Sequence, residues 1–277
     1  MNTYAMGQGG RAEAERMARG TLTEGAARAG LAARGVIYLL VGALALQISA
    51  GDGGHQADRG GALAELSQQP LGAVLLWALG VGLTGMALWR LSEAVFGSAG
   101  KDGRSAKKRL LAVVRCVFYC SVAFSVLSFA AGSGGGGSSD RQSRDVTARV
   151  LGLPAGQWVV GAVGAGIVVT GVWIAVAAAR RKYRDELRLA RMSRWAVRLT
   201  DITGVAGGVA RGLVFTTAGA FAVRAAVSYD PARAKGLDDT LRSFAGTPLG
   251  PWLLALVAAG LVLFGVFSFA LARWRRV

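Results

Sequence analysis

Three arginines sit at matching places in this chain. Arg34, Arg115 and Arg211 open the runs Arg34-Gly35-Val36-Ile37-Tyr38, Arg115-Cys116-Val117-Phe118-Tyr119 and Arg211-Gly212-Leu213-Val214-Phe215. A guanidinium stays charged and offers five donors in a rigid fork that suits phosphate or carboxylate. At the edge of an apolar helix such a group can snorkel to lipid phosphate. Three of them at one level can instead form a ring that holds an anionic head group or an acidic partner. The residue types alone leave both readings open. Thirteen residues after each arginine stands another polar residue: Gln47, Ser128 and Arg224. Thirteen residues rise about 20 Å in a helix, so these positions lie well across a bilayer. A charge inside a membrane is a functional-site hypothesis by default. Arg224 is also only a few residues from Tyr229 and Asp230, which gives it an outward snorkelling route.

Other chemistry is thinly supplied. His55 is the only histidine, so no second imidazole completes a metal site or a triad. Cys116 and Cys120 are the only cysteines; their spacing of four suits small packing residues on one helix face better than metal ligands. No phosphate loop with its lysine occurs. No Asp or Glu lies inside an apolar run, whereas ion-coupled transporters generally use one. We therefore expect no catalytic, metal or cofactor site and no enzyme activity.

The elements that carry these residues repeat. Each apolar run ends in a polar loop, and the loops close on Pro70-Leu71-Gly72, Pro154-Ala155-Gly156 and Pro248-Leu249-Gly250. A second apolar run follows each time. A glycine stands twelve residues after each proline (Gly82, Gly166, Gly260), and a large aromatic nineteen after it (Trp89, Trp173, Phe267). Repeats at such a period define the architecture. Here the unit is a hairpin of two helices, each of about the 20 residues that span a bilayer. Hydrophobic residues make up 53% of the chain and charged ones 17%, too few to cover six buried helices with polar surface. The expected fold is all-α and polytopic: six transmembrane helices as three tandem parallel hairpins, in a pseudo-three-fold bundle. Gly82, Gly166 and Gly260 are read as packing positions that bring the second helices together. A central cavity lined by Gln47, Ser128 and Arg224 would favour a channel; a closed apolar centre would not.

Net charge is +16. Of the 32 Lys and Arg, 24 lie on the side of the two termini and the inter-repeat segments, and seven in the three intra-repeat loops. Positive residues mark the cytoplasmic side, so both termini are expected in the cytoplasm, in a bacterial inner membrane. Residues 1–28 form a polar tail with little to pack and are read as disordered. Repeats are expected at 29–97, 107–184 and 205–277, with a basic cytoplasmic linker helix at 185–204. Over 180–199, Tyr183, Leu187, Trp195 and Leu199 share a helical face among arginines, the pattern of an interfacial helix drawn to anionic lipid. No recognition fold or stacking platform accompanies it, so nucleic acid is not an expected partner. Each outer loop ends in an apolar-spaced segment (Leu63/Leu66, Val146/Val150, Leu237/Leu241/Phe244), read as a short helix at the outer interface.

At Ala29-Gly30-Leu31-Ala32-Ala33-Arg34-Gly35, Leu39-Leu40-Val41-Gly42, Gly61-Ala62-Leu63, Lys235-Gly236-Leu237-Asp238 and Pro248-Leu249-Gly250-Pro251-Trp252-Leu253-Leu254-Ala255, the chain resembles the bacterial membrane proteins grouped as domain of unknown function 1206. That resemblance covers about residues 28–277. It is weaker in the second copy, where Arg115-Cys116 replaces Arg-Gly and the tract Gly132–Ser139 replaces Gly-Ala-Leu. It implies three two-span units and a membrane location, but no chemistry. The reading that follows is a non-enzymatic structural or interaction component of the cell envelope, in contact with the bilayer and its anionic lipids. The alternative is a small channel or uncoupled carrier on the repeat axis.

Overall fold

The computed structural model describes residues 3–51, 54, 56–96, 106–132, 138–245 and 250–275. Pro248, Leu249 and His55 therefore lie outside the described residues. Nine α-helices are present among those described: α1 Thr3–Ser49, α2 Arg59–Gln68, α3 Gly72–Phe96, α4 Ala106–Ala130, α5 Ser139–Leu151, α6 Gly156–Ala179, α7 Arg194–Val227, α8 Leu237–Ala245 and α9 Gly250–Trp274. Six of them contain spans long and apolar enough to cross a membrane: Glu24–Ser49, Gly72–Val95, Arg109–Ala130, Gly156–Ala179, Arg194–Val227 and Gly250–Trp274. The short helices α2, α5 and α8 cap the bundle at one end; the segment 180–193 and the end of α9 lie at the other, the basic end.

Two expectations about segment boundaries are corrected. The tail is not a disordered segment ending at residue 28, because α1 begins at Thr3 and runs unbroken into the span. Its Ala, Arg, Glu and Met are good helix formers, and a helix already nucleated by the span extends without a new nucleus. Nor is 180–199, or 185–204, a linker helix. Lys182–Glu186 and Leu189–Arg191 are short 3₁₀ turns, and Ser193 caps α7, which starts at Arg194 and continues as the fifth span. At 1.5 Å per residue the 34 residues of α7 are about 51 Å long, well beyond the hydrocarbon core.

The second helix of each repeat packs on the first helix of the next: α3 on α4, α6 on α7 and α9 on α1. This cyclic order is the pseudo-three-fold arrangement. Lipid supplies no hydrophobic drive between helices, so close backbone approach must hold them. The same pair of small residues, seven apart, does this on both sides of each interface. One and eight residues after the repeat arginine stand Gly35 and Gly42, Cys116 and Ala123, Gly212 and Gly219. Ten and seventeen after the repeat proline stand Gly80 and Ala87, Gly164 and Gly171, Ala258 and Gly265. A Cβ on Gly171 would lie 2.5 Å from the Thr216 backbone nitrogen, and one on Gly212 would lie 2.7 Å from the Gly171 carbonyl oxygen. Likewise a Cβ on Gly42 would lie 3.0 Å from the Ala258 oxygen, and one on Gly265 3.0 Å from the Gly35 oxygen. Between α3 and α4 the contact is looser, with the Cys116 thiol donating to the Ala87 carbonyl at 3.5 Å.

Glycines twelve residues after the proline serve a different contact from the one expected. They do not join the second helices to one another; Gly82 and Gly260 close the first and third hairpins on themselves. A Cβ on Gly82 would lie 3.1 Å from the Ala29 oxygen and 3.2 Å from the Ala33 Cβ. In the third repeat the matching residues meet: a Cβ on Gly260 would lie 2.3 Å from the Ala210 Cβ and 3.5 Å from the Ala206 oxygen. In the second repeat the two alanines are replaced by Leu110 and Val114, 66% and 58% exposed. There the hairpin stays open, α4 and α6 make no extended contact, and nothing lies within 4 Å of a Cβ placed on Gly166. The branched side chains prevent the approach that two alanines permit. Trp173 follows the same pattern, at 60% exposed, while its counterparts Trp89 and Phe267 are buried. A seam between α4 and α6 is thus the one break in the cyclic order.

The turns into α3 and α6 are alike. Leu71 and Ala155, the central residues of Pro-x-Gly, have φ of 65° and 61°, a left-handed conformation that costs about 1–3 kcal/mol in a non-glycine residue. The following glycine is required because a Cβ on Gly156 would fall 1.8 Å from the Val150 oxygen.

Gly171→Leu should lower the unfolding free energy in detergent by about 2 kcal/mol or more, as overpacking against backbone does. Gly166→Leu should change it by less than about 0.5 kcal/mol, as an open site does. Equilibrium unfolding followed by circular dichroism checks this, and equal losses would contradict the assignment of the interfaces.

Candidate functional site

Two of the three repeat arginines turn inward and meet. The Arg34 Nε donates to the Ser268 Oγ at 3.2 Å, and its guanidinium carbon lies 5.2 Å from the centre of the Phe264 ring. Arg211 Nε donates to the Tyr38 hydroxyl at 2.9 Å, and the same guanidinium packs over Tyr38, Phe215 and Phe264 at 5.7, 5.1 and 5.0 Å. The Tyr119 phenol lies beside Arg34 and within electrostatic reach of Arg211. The buried Nη2 of Arg34 has no hydrogen-bond partner. Among the described residues neither arginine forms an ion pair with a carboxylate. Along α1, Arg34 lies ten residues from Glu24, about 15 Å inside the span. Arg34 and Arg211, both half-buried, therefore face the interior of the bundle rather than snorkelling, and with two phenols and one hydroxyl they form a cationic cluster, the well. Arg115 does not complete a ring. It is exposed on α4, near Arg90 and Glu93 of α3, Tyr119 and Glu186.

The well is closed along the bundle axis at both ends. At the basic end the linker crosses as a strap. Leu187, 1% exposed, inserts among Leu31, Met86, Trp89, Phe264, Phe267 and Leu271. The strap is pinned by the Arg188 N–H, which donates to the Trp274 carbonyl at 2.9 Å, and by Arg275, paired with Glu186 at 2.9 Å and stacked on Trp89. The Tyr183 ring meets Phe267 edge-on at 4.9 Å, and its hydroxyl donates to Asp201, which also pairs with Arg184. Burial first, and then the Asp201 charge, push the Tyr183 phenol up to about 12. Burial pulls the Arg275 pKa down; Glu186 opposes that shift, and Arg90 and Arg34 add to it. Tyr183 and Leu187 thus serve as buried anchors, whereas Trp195 is 72% exposed, so the helical face expected to join them is not formed.

At the cap end the centre is apolar, with Val41, Leu44, Val214, Leu254, Val257 and Leu261 packed together. Gln47 and Arg224 are exposed and Ser128 is half-buried, so these three do not line a central cavity. In the cap helices Leu63, Leu66, Leu241 and Phe244 are buried as expected, but α5 buries Thr147 and Leu151 while Val146 stays exposed.

A ring of aspartates locks the caps together, one from the start of each cap helix. Ser139 N–H donates to Asp58 Oδ2 at 2.6 Å, Asp239 N–H to Asp140 Oδ1 at 3.1 Å, and Ala57 N–H to Asp238 Oδ1 at 2.8 Å. Each repeat thereby receives a backbone N–H from another, and the circle closes. All three aspartates are buried. Oxygens of Asp140, Asp238 and Asp239 lie within 4.8 Å of one another, a spacing open to a cation. Each carboxylate is already engaged, Asp238 with Arg242 and Asp239 with Arg144 besides the backbone bonds. Sequence reading missed this ring, although every outer loop carries an aspartate where its apolar-spaced segment begins. It also missed Tyr38 and Tyr119, four residues after their arginines.

Comparison with known proteins accords with this architecture. The family Domain of Unknown Function (DUF1206) matches residues 29–97, 111–181 and 206–275, one match for each hairpin. The chain belongs to this family. It is also similar to the uncharacterized protein YxxB of Bacillus subtilis (strain 168), 33% identical over 243 residues that cover 87% of each chain. No solved structure matches it.

Burial pushes the Asp140 carboxyl up. The Asp239 N–H opposes this, and the charges of Asp239, Asp238 and Asp58 reinforce it. A carboxyl raised in the folded state contributes most to stability below its unfolded pKa, and loses that contribution as pH rises through the folded value. Asp140→Asn keeps an acceptor for the Asp239 N–H and removes the charge. It should melt at or above the parent at neutral pH, with the difference closing as the pH is lowered through the raised carboxyl range. A difference that widens on acidification would contradict the assignment.

Proposed function

We propose that this protein is a non-enzymatic interaction component of the bacterial inner membrane, holding an anionic ligand in the well at Arg34 and Arg211. The observation that supports this is a half-buried pair of cations facing the bundle interior, with no counter-charge among the described residues and with the Arg34 Nη2 buried and unpartnered. Drawing a charge part-way out of water without a counter-charge is unfavourable. Two arginines kept together there, one with a free donor, are accounted for by an anion that binds both. Among the described residues no carboxylate pairs with either arginine, and Cys116 acts as a packing residue in place of a glycine, which favours binding over catalysis. Axial closure by the strap, the apolar centre and the aspartate ring weighs against the channel reading.

Anionic ligands should stabilise the purified protein in neutral detergent. By mass action the gain is about 2.7 kcal/mol at a hundred times the dissociation constant. The Arg34→Gln/Arg211→Gln double variant should show only the non-specific salt effect. An equal response of both proteins to phosphate and to anionic lipid would sink the proposal. The excess of Lys and Arg at the basic end supports cytoplasmic termini. A reporter active only in the cytoplasm should therefore work when fused after Val277, and a reporter active only outside should not.

A further inference from the structure

We propose that the seam between α4 and α6 is a lateral entrance for an anionic phospholipid. Its phosphate would bind Arg34 and Arg211, and its acyl chains would lie between the two helices. This rests on the anion-binding reading of the well and adds the ligand class and its route.

Four observations carry it. First, the well is shut along the axis at both ends, by the Leu187 strap and by the apolar centre under the aspartate ring. A soluble anion has no aqueous path along the axis. Second, the one hairpin that stays open is the second, and its first helix supplies Tyr119 to the well, while Arg211 lies on α7, the helix against which α6 packs. The seam therefore runs between the two flanks of the cationic group. Third, its walls suit acyl chains: Leu110 and Val114 on α4, and Gly166 and Trp173 on α6, are all exposed. The counterparts of Val114, Gly166 and Trp173 (Ala33, Ala210, Gly82, Gly260, Trp89 and Phe267) are buried in the closed hairpins, while those of Leu110 are not: Ala29 is exposed and Ala206 half-buried. Fourth, a cation stands at the basic end of the seam, where Lys182 stacks 4.4 Å over Trp173, and Arg115 is exposed on α4. A cation at the mouth, two arginines within and apolar walls between complement a phosphate carrying two chains. A second copy of this chain would bring its own net charge of +16 to the same mouth and is disfavoured.

The opening has a sequence cause that the experiment can reverse. Leu110→Ala/Val114→Ala recreates the Gly-against-two-Ala contact of the other hairpins and should close the seam. Gly166→Trp should fill it from the opposite wall. Protein is reconstituted in nanodiscs of equal phosphatidylglycerol and phosphatidylcholine, extracted in mild detergent and weighed by native mass spectrometry. The parent should keep about one phosphatidylglycerol per chain through delipidation and shed phosphatidylcholine. Both seam variants should lose that retention at least about tenfold, and so should Arg34→Gln, the effect of removing a charge-assisted hydrogen bond. Arg34→Lys, which keeps the charge but not the fork, should fall between parent and Arg34→Gln. That order holds even if the glutamine variant folds poorly. Inorganic phosphate should not displace the lipid.

The proposal is overturned if both lipids are retained equally, if inorganic phosphate displaces the lipid, or if both seam variants keep it as the parent does. Loss in Arg34→Gln alone would overturn the seam route and leave the anion-binding reading standing. Retention in every variant would overturn both.

Discussion

Everything in this fold depends on how closely helix backbones approach across the joints between repeats. In a bilayer the lipid tails are as apolar as the side chains, so burial does not separate a packed helix from a solvated one. What remains is dispersion between well-fitted surfaces, which falls off within an ångström of a gap. Small residues seven apart, on both helices of each joint, bring the backbones together. Gly164 and Gly171 against Gly212 and Gly219 form the tightest of the three joints. Because the pairs recur at one place in every repeat, the same joint forms three times and turns a linear series of hairpins into a cycle. The aspartate ring makes the same cycle at the cap end with hydrogen bonds. There the acceptors are buried carboxylates and the donors are backbone N–H groups that would otherwise lack partners.

The cycle is symmetric in its joints and asymmetric in its hairpins. Two hairpins close through a glycine against two alanines, and one does not. This sets apart the three arginines that the repeat makes equivalent. Arg34 and Arg211 belong to closed hairpins and are held inside the bundle by Tyr38, Phe264 and Ser268. Arg115 belongs to the open hairpin and stays at its edge. A strictly three-fold protein would bring three like charges to one axis. This one brings two, surrounds them with phenols and aromatic faces, and leaves the third exposed on the first helix of the open hairpin.

Much of this was legible in the sequence. Spacing from Arg34, Arg115 and Arg211 to the three Pro-x-Gly turns gave the hairpins, their number and their common direction. The absence of charges from the apolar runs gave the spans. Partner choice was not legible. Gly82, Gly166 and Gly260 share a spacing, yet spacing does not say which helix each one touches. The partner is set by residues about fifty positions earlier, Ala29 and Ala33 against Leu110 and Val114. The seven-residue pairs that make the joints were masked by substitution, since Cys116 and Ala87 stand where the other repeats have glycine. The linker was misread because its apolar residues have a helical spacing. Leu187 and Tyr183 are held by tertiary contacts with α9 and α7, and these contacts override the local pattern.

The asymmetry between hairpins distinguishes this bundle from a strictly three-fold one. The most direct measurement is an experimental density map of the full chain in a lipid nanodisc containing anionic phospholipid. It should show α3 on α4, α6 on α7 and α9 on α1, with the first and third hairpins closed and α4 apart from α6. Elongated density should lie in that gap, with its head at Arg34 and Arg211. A map with α4 packed along α6 through Gly166, and the well sealed from the bilayer on every side, would contradict it.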